Sequence, residues 1–255
     1  MRLLAQTRSL AAALGLVVWL LVGEVWERLL VWPSMRLRPS RADAILTGYM
    51  KAMSRGILAL IHAAGGRAVR TGVIPTAQPS LIVMNHQSLL DIPTAILMAE
   101  PFVCRFIARE RYGRFVPSVS LCMRLLGCPL IDPQNRKASL RALRQAVRAQ
   151  PHGLVVFPEG HRTRDGEIQP FHSAGLEIML RESAQPVYLV VTDGFWRCAR
   201  FADFLFHIER IQGRTEVLGP YTPPADGDLG AFVERLRQEM VDRLARMRGG
   251  AGVAA

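Results

Sequence analysis

Ser80-Leu81-Ile82-Val83-Met84-Asn85-His86-Gln87-Ser88-Leu89-Leu90-Asp91-Ile92-Pro93 is the stretch on which the fold turns. Its first five residues form a short apolar run, the pattern of a buried strand. Pro93 suits the first turn of a helix that starts near Asp91. Polar residues just past the end of such a strand sit where an α/β enzyme carries its reacting groups. On a regular helix, residues five apart such as His86 and Asp91 would point about 140° away from each other. The spacing therefore predicts a bend at the junction that lets the Asp91 carboxylate reach the His86 ring. An imidazole held in this way can take a proton from an attacking hydroxyl, while the carboxylate fixes its tautomer and stabilises the imidazolium. Ser88 can supply a hydrogen bond, but the chain lacks the Gly-x-Ser-x-Gly elbow of a serine hydrolase. Taken alone, a His-x4-Asp spacing has low specificity.

Farther along, Phe157-Pro158-Glu159-Gly160-His161-Arg162-Thr163-Arg164-Asp165-Gly166 follows a second apolar run, Gly153-Leu154-Val155-Val156. Gly160 permits a tight turn or a close backbone approach to a ligand. Arg162 carries the fork that holds a phosphate or carboxylate, and Glu159 can position an arginine or accept from a substrate hydroxyl. Standing by itself, this cluster reads more readily as a charged surface turn. Around these clusters short apolar runs alternate with amphipathic stretches. Strands are predicted at Ser80–Met84, Phe102–Ala108, Cys128–Ile131, Gly153–Phe157 and Pro186–Thr192, with a late pair at His207–Ile211 and Thr215–Leu218. Helices are predicted at Pro93–Glu100, Ser118–Leu126, Lys137–Ala149, Ala174–Glu182 and Leu229–Met247. That alternation describes an α/β domain with a mixed sheet flanked by helices. In the third of these helices Lys137, Arg141, Arg144 and Arg148 form a basic stripe, either solvated surface or a contact for an anionic carrier or membrane.

The amino-terminal part is of another kind. No charge occurs from Ser9 to Gly23, and the run is borderline against the roughly 20 apolar residues a spanning helix needs. Residues 42–64 form a second helix, with Pro33 and Pro39 separating the two. No small-residue cleavage site follows the apolar run, which argues against a signal peptide. Residues 1–65 thus read as a two-helix membrane-docking unit, dipping into one leaflet or crossing once, with Trp19, Trp26 and Trp32 suited to the headgroup boundary. A buried hydrophobic hairpin is the plainer alternative. Residues 66–248 are the expected catalytic domain, and 249–255 a disordered tail.

Charge points the same way. The chain has 32 Lys and Arg against 21 Asp and Glu, a net +11, and half its residues are hydrophobic. Ten of the basic residues fall within residues 1–70, against Glu24, Glu27 and Asp43. Basic charge beside apolar surface fits an anionic membrane face better than a nucleic-acid groove, and no nucleic-acid-binding signature is present. Cys104, Cys122, Cys128 and Cys198 show neither CxxC pairing nor a grouping with histidines, which suits reduced buried thiols and no metal site.

Together the blocks Asn85-His86-x4-Asp91, Leu126-Gly127-Cys128-Pro129-Leu130-Ile131-Asp132, Phe157-Pro158-Glu159-Gly160-x-Arg162 and Pro186-Val187-Tyr188-Leu189 resemble the glycerolipid acyltransferase family, typified by bacterial 1-acyl-glycerol-3-phosphate acyltransferases. The resemblance covers about residues 70–195. It implies direct transfer of a fatty acyl group from acyl-CoA or acyl carrier protein to the free hydroxyl of a lysolipid, in phospholipid biosynthesis. Both thioesters would be substrates, and no cofactor is implied. His86 would be the general base and Asp91 its orienting partner, with Glu159, Gly160 and Arg162 binding the acceptor. The implied setting is the cytoplasmic face of a bacterial inner membrane, with single-pass or monotopic attachment. The family's second block commonly continues Ile-Asp-Arg; here Pro133 replaces the arginine, and Arg136 is the residue expected to compensate. That departure keeps lyso-ornithine lipid and lysophospholipid acceptors open beside 1-acyl-glycerol-3-phosphate. A non-catalytic lipid-binding membrane protein and a thioesterase are the alternatives of other classes.

Overall fold

The computed structural model describes residues 2–132, 134–149, 151–183, 185–198, 201–225 and 227–249. Helix α1, Arg2–Trp26, runs on through one π-helical turn, Glu27–Val31, into α2, Trp32–Leu37. Pro33, expected to end the first helix, does not. It sits just after the π-helical turn, whose wider loop of backbone accommodates the ring and the missing N–H within a continuous helix. The break comes at Arg38, before Pro39, and α3 follows over Ala42–Ala63.

From there the chain alternates strand and helix. Strands β1, Arg67–Thr71, β2, Ile74–Pro75, and β3, Ser80–Met84, precede α4, Asp91–Met98. Short strands β4, Ala99–Glu100, β5, Arg105–Phe106, and β6, Ala108–Arg109, then lead to α5, Ser120–Leu125. Next come β7, Leu130–Ile131, α6, Arg136–Arg148, β8, Gly153–Val156, and α7, Ser173–Glu182. Strand β9, Val187–Asp193, helix α8, Phe201–Phe206, strand β10, Gln212–Tyr221, and helix α9, Leu229–Gly249, complete the described chain. The main sheet runs in the order β1-β10-β9-β3-β8-β5. It is mixed, because β10 pairs antiparallel with β9 while the other neighbours run parallel. The α/β class with a mixed sheet is therefore as the sequence indicates.

Strand periodicity builds two cores from one sheet. Leu81 and Val83 of β3 face one way, with Leu154, Val156, Leu189 and Val191, against α6, α7 and α9. Ile82 and Met84 face the other way, with Val155 and Val190, against Leu46, Tyr49, Met50 and Met53 of α3 and Ala95 and Ile96 of α4. The second amino-terminal helix is thus an outer layer of the sandwich. Helix α1 packs on α3 so closely that a Cβ on Gly56 would lie 2.3 Å from the Trp19 ring.

Three expectations change. Trp19 donates its ring N–H to the Met53 carbonyl at 3.0 Å, and Trp26 packs edge-on to Tyr49, so both face inward; only Trp32 is turned out. The late strand pair is a single strand. His207–Ile211 instead holds a short 3₁₀ turn, Ile208–Arg210, because Ile208 and Ile211, three apart, are both fully buried on one side of it. The strand expected at Phe102–Ala108 is divided between the main sheet and a small β6–β7 pair. The expected tail beyond Gly249 lies outside the described residues.

Candidate active site

The parallel strands β3, β8 and β9 end on the same edge of the sheet, and the polar residues collect there. Residues 85–88 form an irregular bend and α4 begins at Asp91, so the two side chains singled out by spacing do meet. His86 Nδ1 donates to Asp91 Oδ2 at 2.8 Å. Since a carboxylate only accepts, the proton lies on Nδ1, and Nε2 is left as the basic nitrogen. The same Asp91 oxygen accepts from the backbone N–H of Gln87 at 2.7 Å and of Ser88 at 2.8 Å. Asp91 is fully buried, and its Oδ1 has no hydrogen-bond partner among the described residues. The His86 ring stacks on Phe157, with centroids 4.2 Å apart, and keeps 18% of its side chain exposed. It is therefore walled on one side and open on another.

The second cluster holds the first in place. Glu159 is buried and accepts from the His86 backbone N–H at 2.8 Å through Oε1 and from the Gln169 N–H at 2.9 Å through Oε2. Its carboxylate faces backbone donors on both sides. Burial pushes its pKa above the ordinary carboxylate range, and the two amides pull it partly back. The His86 carbonyl accepts from Thr163 N–H at 2.8 Å, so both backbone polar groups of the histidine are tied to the loop after β8. Gly160 has φ of +70° and would bring a Cβ within 2.8 Å of the His172 ring, two reasons for glycine there. Arg162 lies on the exposed side of this loop. The Arg136 side chain and Pro133 lie outside the described residues.

Several supporting side chains had not been assigned from sequence. Asn85 closes β3 onto β9 by a two-point clamp: its Nδ2 donates to the Thr192 carbonyl and its Oδ1 accepts from Thr192 N–H, both at 2.8 Å. Gln87 donates to the Gly166 carbonyl at 3.3 Å and accepts from Phe195 N–H at 3.1 Å. Both flank His86 and are buried polar groups in a loop, which was the available signal. Arg109, at the end of β6, donates to the Gly160 carbonyl at 3.0 Å and so adds a second guanidinium beside the loop. Of the basic stripe on α6, Arg144 and Arg148 pair with Glu182 of α7.

Helix α1 carries an apolar surface of its own. Leu10, Leu14, Val17, Val18, Leu21, Val22 and Val25 are exposed at helical spacing, while Ala12, Ala13 and Leu16 face the protein. Leu3–Leu37 and Pro39–Ala63 are long and apolar enough to cross a membrane by length and composition, and the outward stripe is consistent with membrane association.

A family model described as Acyltransferase matches residues 67–192. The 1-acyl-sn-glycerol-3-phosphate acyltransferase of Limnanthes douglasii is 26% identical over 190 residues, covering 72% of this chain and 63% of the plant protein. The human enzyme of that name, alpha form, is 27% identical over 66% of this chain and 59% of its own length. The one from Borreliella burgdorferi is 24% identical over 52% and 55%, respectively. The chain thus spans about three fifths of the curated relatives it matches. The crystal structure of the 1-acyl-sn-glycerophosphate (LPA) acyltransferase PlsC from Thermotoga maritima superposes with a TM-score of 0.73, covering 96% of both chains at 22% identity, a likeness of fold.

Proposed function

The chain belongs to the acyltransferase family, of the glycerolipid type, through its residues 67–192, and from that membership we propose that it moves a fatty acyl group from a thioester to the hydroxyl of a lysolipid. The observation that carries this reading is the 2.8 Å contact between His86 Nδ1 and Asp91 Oδ2, which leaves Nε2 as the basic nitrogen of a ring that stays 18% exposed. Nε2 takes the proton of the acceptor hydroxyl as its oxygen bonds to the thioester carbonyl carbon. The C–S bond then breaks, the acyl ester is formed, and the imidazolium returns its proton to the departing thiolate. Asp91 stabilises the cation while it exists. Arg109, which touches the Gly160 carbonyl, and Arg162, two residues farther along that loop, supply positive charge for an anionic headgroup.

The acceptor we assign is 1-acyl-glycerol-3-phosphate, the substrate in the relatives' names, with acyl-CoA or acyl carrier protein as donor. Pro133 in place of the usual arginine favours a second reading, a different lysolipid acceptor such as a lysophospholipid or lyso-ornithine lipid. Both donors are water-soluble, so the site would work from the cytoplasmic face of a membrane held by α1. The test is to incubate purified protein with each radiolabelled acyl thioester and a panel of lysolipids, then identify the acylated product. The His86→Ala variant should lose roughly 10²–10⁴-fold in turnover and still bind membranes. Undiminished turnover in that variant would remove the proposed base. Free fatty acid released independently of acceptor would point to a thioesterase.

A further inference from the structure

Phe115 is 97% exposed and has φ of +63°, a backbone conformation that a bulky side chain occupies only at a cost. Its loop is nonetheless held on both sides. Val116 N–H donates to Ser120 Oγ at 2.9 Å, and that hydroxyl donates to the Tyr112 carbonyl at 3.1 Å. Ser118, itself at φ of +57°, donates its N–H to Glu24 Oε2 at 2.6 Å and its hydroxyl to the Leu20 carbonyl at 2.7 Å. Tyr49 OH adds a bond to Ser118 Oγ at 3.3 Å. The backbone is thus pinned while the largest apolar side chain of the loop points at water. A single exposed phenylalanine is ordinary, so what matters is whether the pinned loop places it in a larger apolar surface.

Two features identify the occupant. The loop is fastened to α1 at Leu20 and Glu24, within one turn of the outward Leu21, Val22 and Val25, so Phe115 continues an apolar surface. Its neighbours Arg111 and Arg114 are basic and exposed; Arg114 pairs with Glu110, the sole acidic residue from 110 to 118, at 3.0 Å, which leaves the segment a net +1. An apolar tip continuous with the α1 stripe and flanked by net positive charge suits an anionic bilayer. We propose that Phe115 is a membrane-inserting wedge, a contact separate from the amino-terminal helices, which seats the rim of the active site on an anionic lipid surface. The inference rests on the membrane reading of α1. The same loop begins at Arg109, which touches the Gly160 carbonyl. One short segment therefore connects the proposed bilayer contact to the loop that holds His86.

The experiment uses full-length protein with a nitrobenzoxadiazole label at Phe115→Cys, Leu14→Cys or Glu234→Cys, mixed with phosphatidylglycerol vesicles carrying a chain-linked quencher. Native thiols interfere little, since three are buried and burial pushes the fourth, Cys128, up to about 11. Labels at 115 and 14 should shift to the blue and be quenched, while the label at 234, on exposed α9 surface, should not. A label at 115 that stays aqueous while that at 14 enters would overturn the wedge and leave membrane docking intact. If both stay aqueous, the membrane reading fails and the wedge falls with it. A blue shift without vesicles, accompanied by a doubled mass, would assign the tip to a second copy of the chain and overturn the proposal. Phe115→Gly should weaken vesicle partitioning about tenfold with melting temperature unchanged or raised, because glycine accepts the left-handed backbone. A drop in melting temperature with unchanged partitioning would mark Phe115 as structural and refute the wedge.

Discussion

A carboxylate buried away from water must find donors, and Asp91 finds three at one oxygen: the His86 ring and the amides of Gln87 and Ser88. Asp91→Asn keeps the shape but offers the ring an N–H as readily as an oxygen, which favours the wrong tautomer. We expect turnover to fall by roughly 10²–10⁴, with circular dichroism and vesicle binding retained. A rate within tenfold of the parent protein would take Asp91 out of the mechanism. This pair was legible because its two members sit five positions apart across a junction that the apolar run and Pro93 both mark. The place of Glu159 was not. Its partners are the backbone amides of His86, 73 positions away, and Gln169, and every residue but proline carries such an amide. Structure thereby gives a physical reason for the two blocks to occur together: one carries the imidazole and the other fastens its main chain.

Among the elements, α1 and α3 divide work that the sequence had given to one unit. Helix α1 presents an apolar stripe outward, whereas α3 contributes Leu46, Tyr49, Met50 and Met53 to the core beneath the sheet. Deleting residues 1–65 would therefore strip a layer from the fold and report on stability more than on docking. Substituting Leu14, Val18 and Leu21 together by Asp is the cleaner test, because all three are exposed. The triple variant should melt close to the parent protein but no longer sediment with anionic vesicles; continued sedimentation would locate docking elsewhere. An uncharged apolar run announced the first helix and spaced apolar positions the second. Neither could say which face met protein, since apolar residues look alike whether they meet lipid or a sheet. Strand β1, Arg67-Ala68-Val69-Arg70-Thr71, escaped notice because a mostly exposed edge strand needs no apolar run.

On the scale of the whole molecule, the site depends on the last helix. Arg248 of α9 donates to both Asp193 oxygens, at 3.1 and 3.0 Å, to the Gly166 carbonyl at 3.0 Å and to Glu167 at 2.6 Å. Gly166 in turn accepts from Gln87, the neighbour of His86. Burial raises the Asp193 pKa, but the Arg248 guanidinium outweighs it and holds the carboxyl below its usual range. A depressed carboxyl stabilises the fold above its unfolded pKa and loses that contribution as pH falls toward the folded one. Arg248→Met should thus cost about 1–2 kcal/mol at neutral pH, allowing for partial exposure, and lower turnover more than acceptor affinity. The stability gap should stay constant at neutral pH and shrink only below about pH 4 in urea titrations. A gap that closed between pH 6 and 8 would exclude Asp193 as the linked group. No sequence pattern announces a contact between residue 248 and a loop 82 positions earlier. The direction of protein synthesis gives that contact a further meaning. A ribosome releases α1 before α9, and β1 waits for β10 to pair with it. We expect the nascent chain to reach the lipid before its site is assembled, so that, on the function proposed above, acyl thioesters would meet a finished catalyst only where the product can be left in the bilayer.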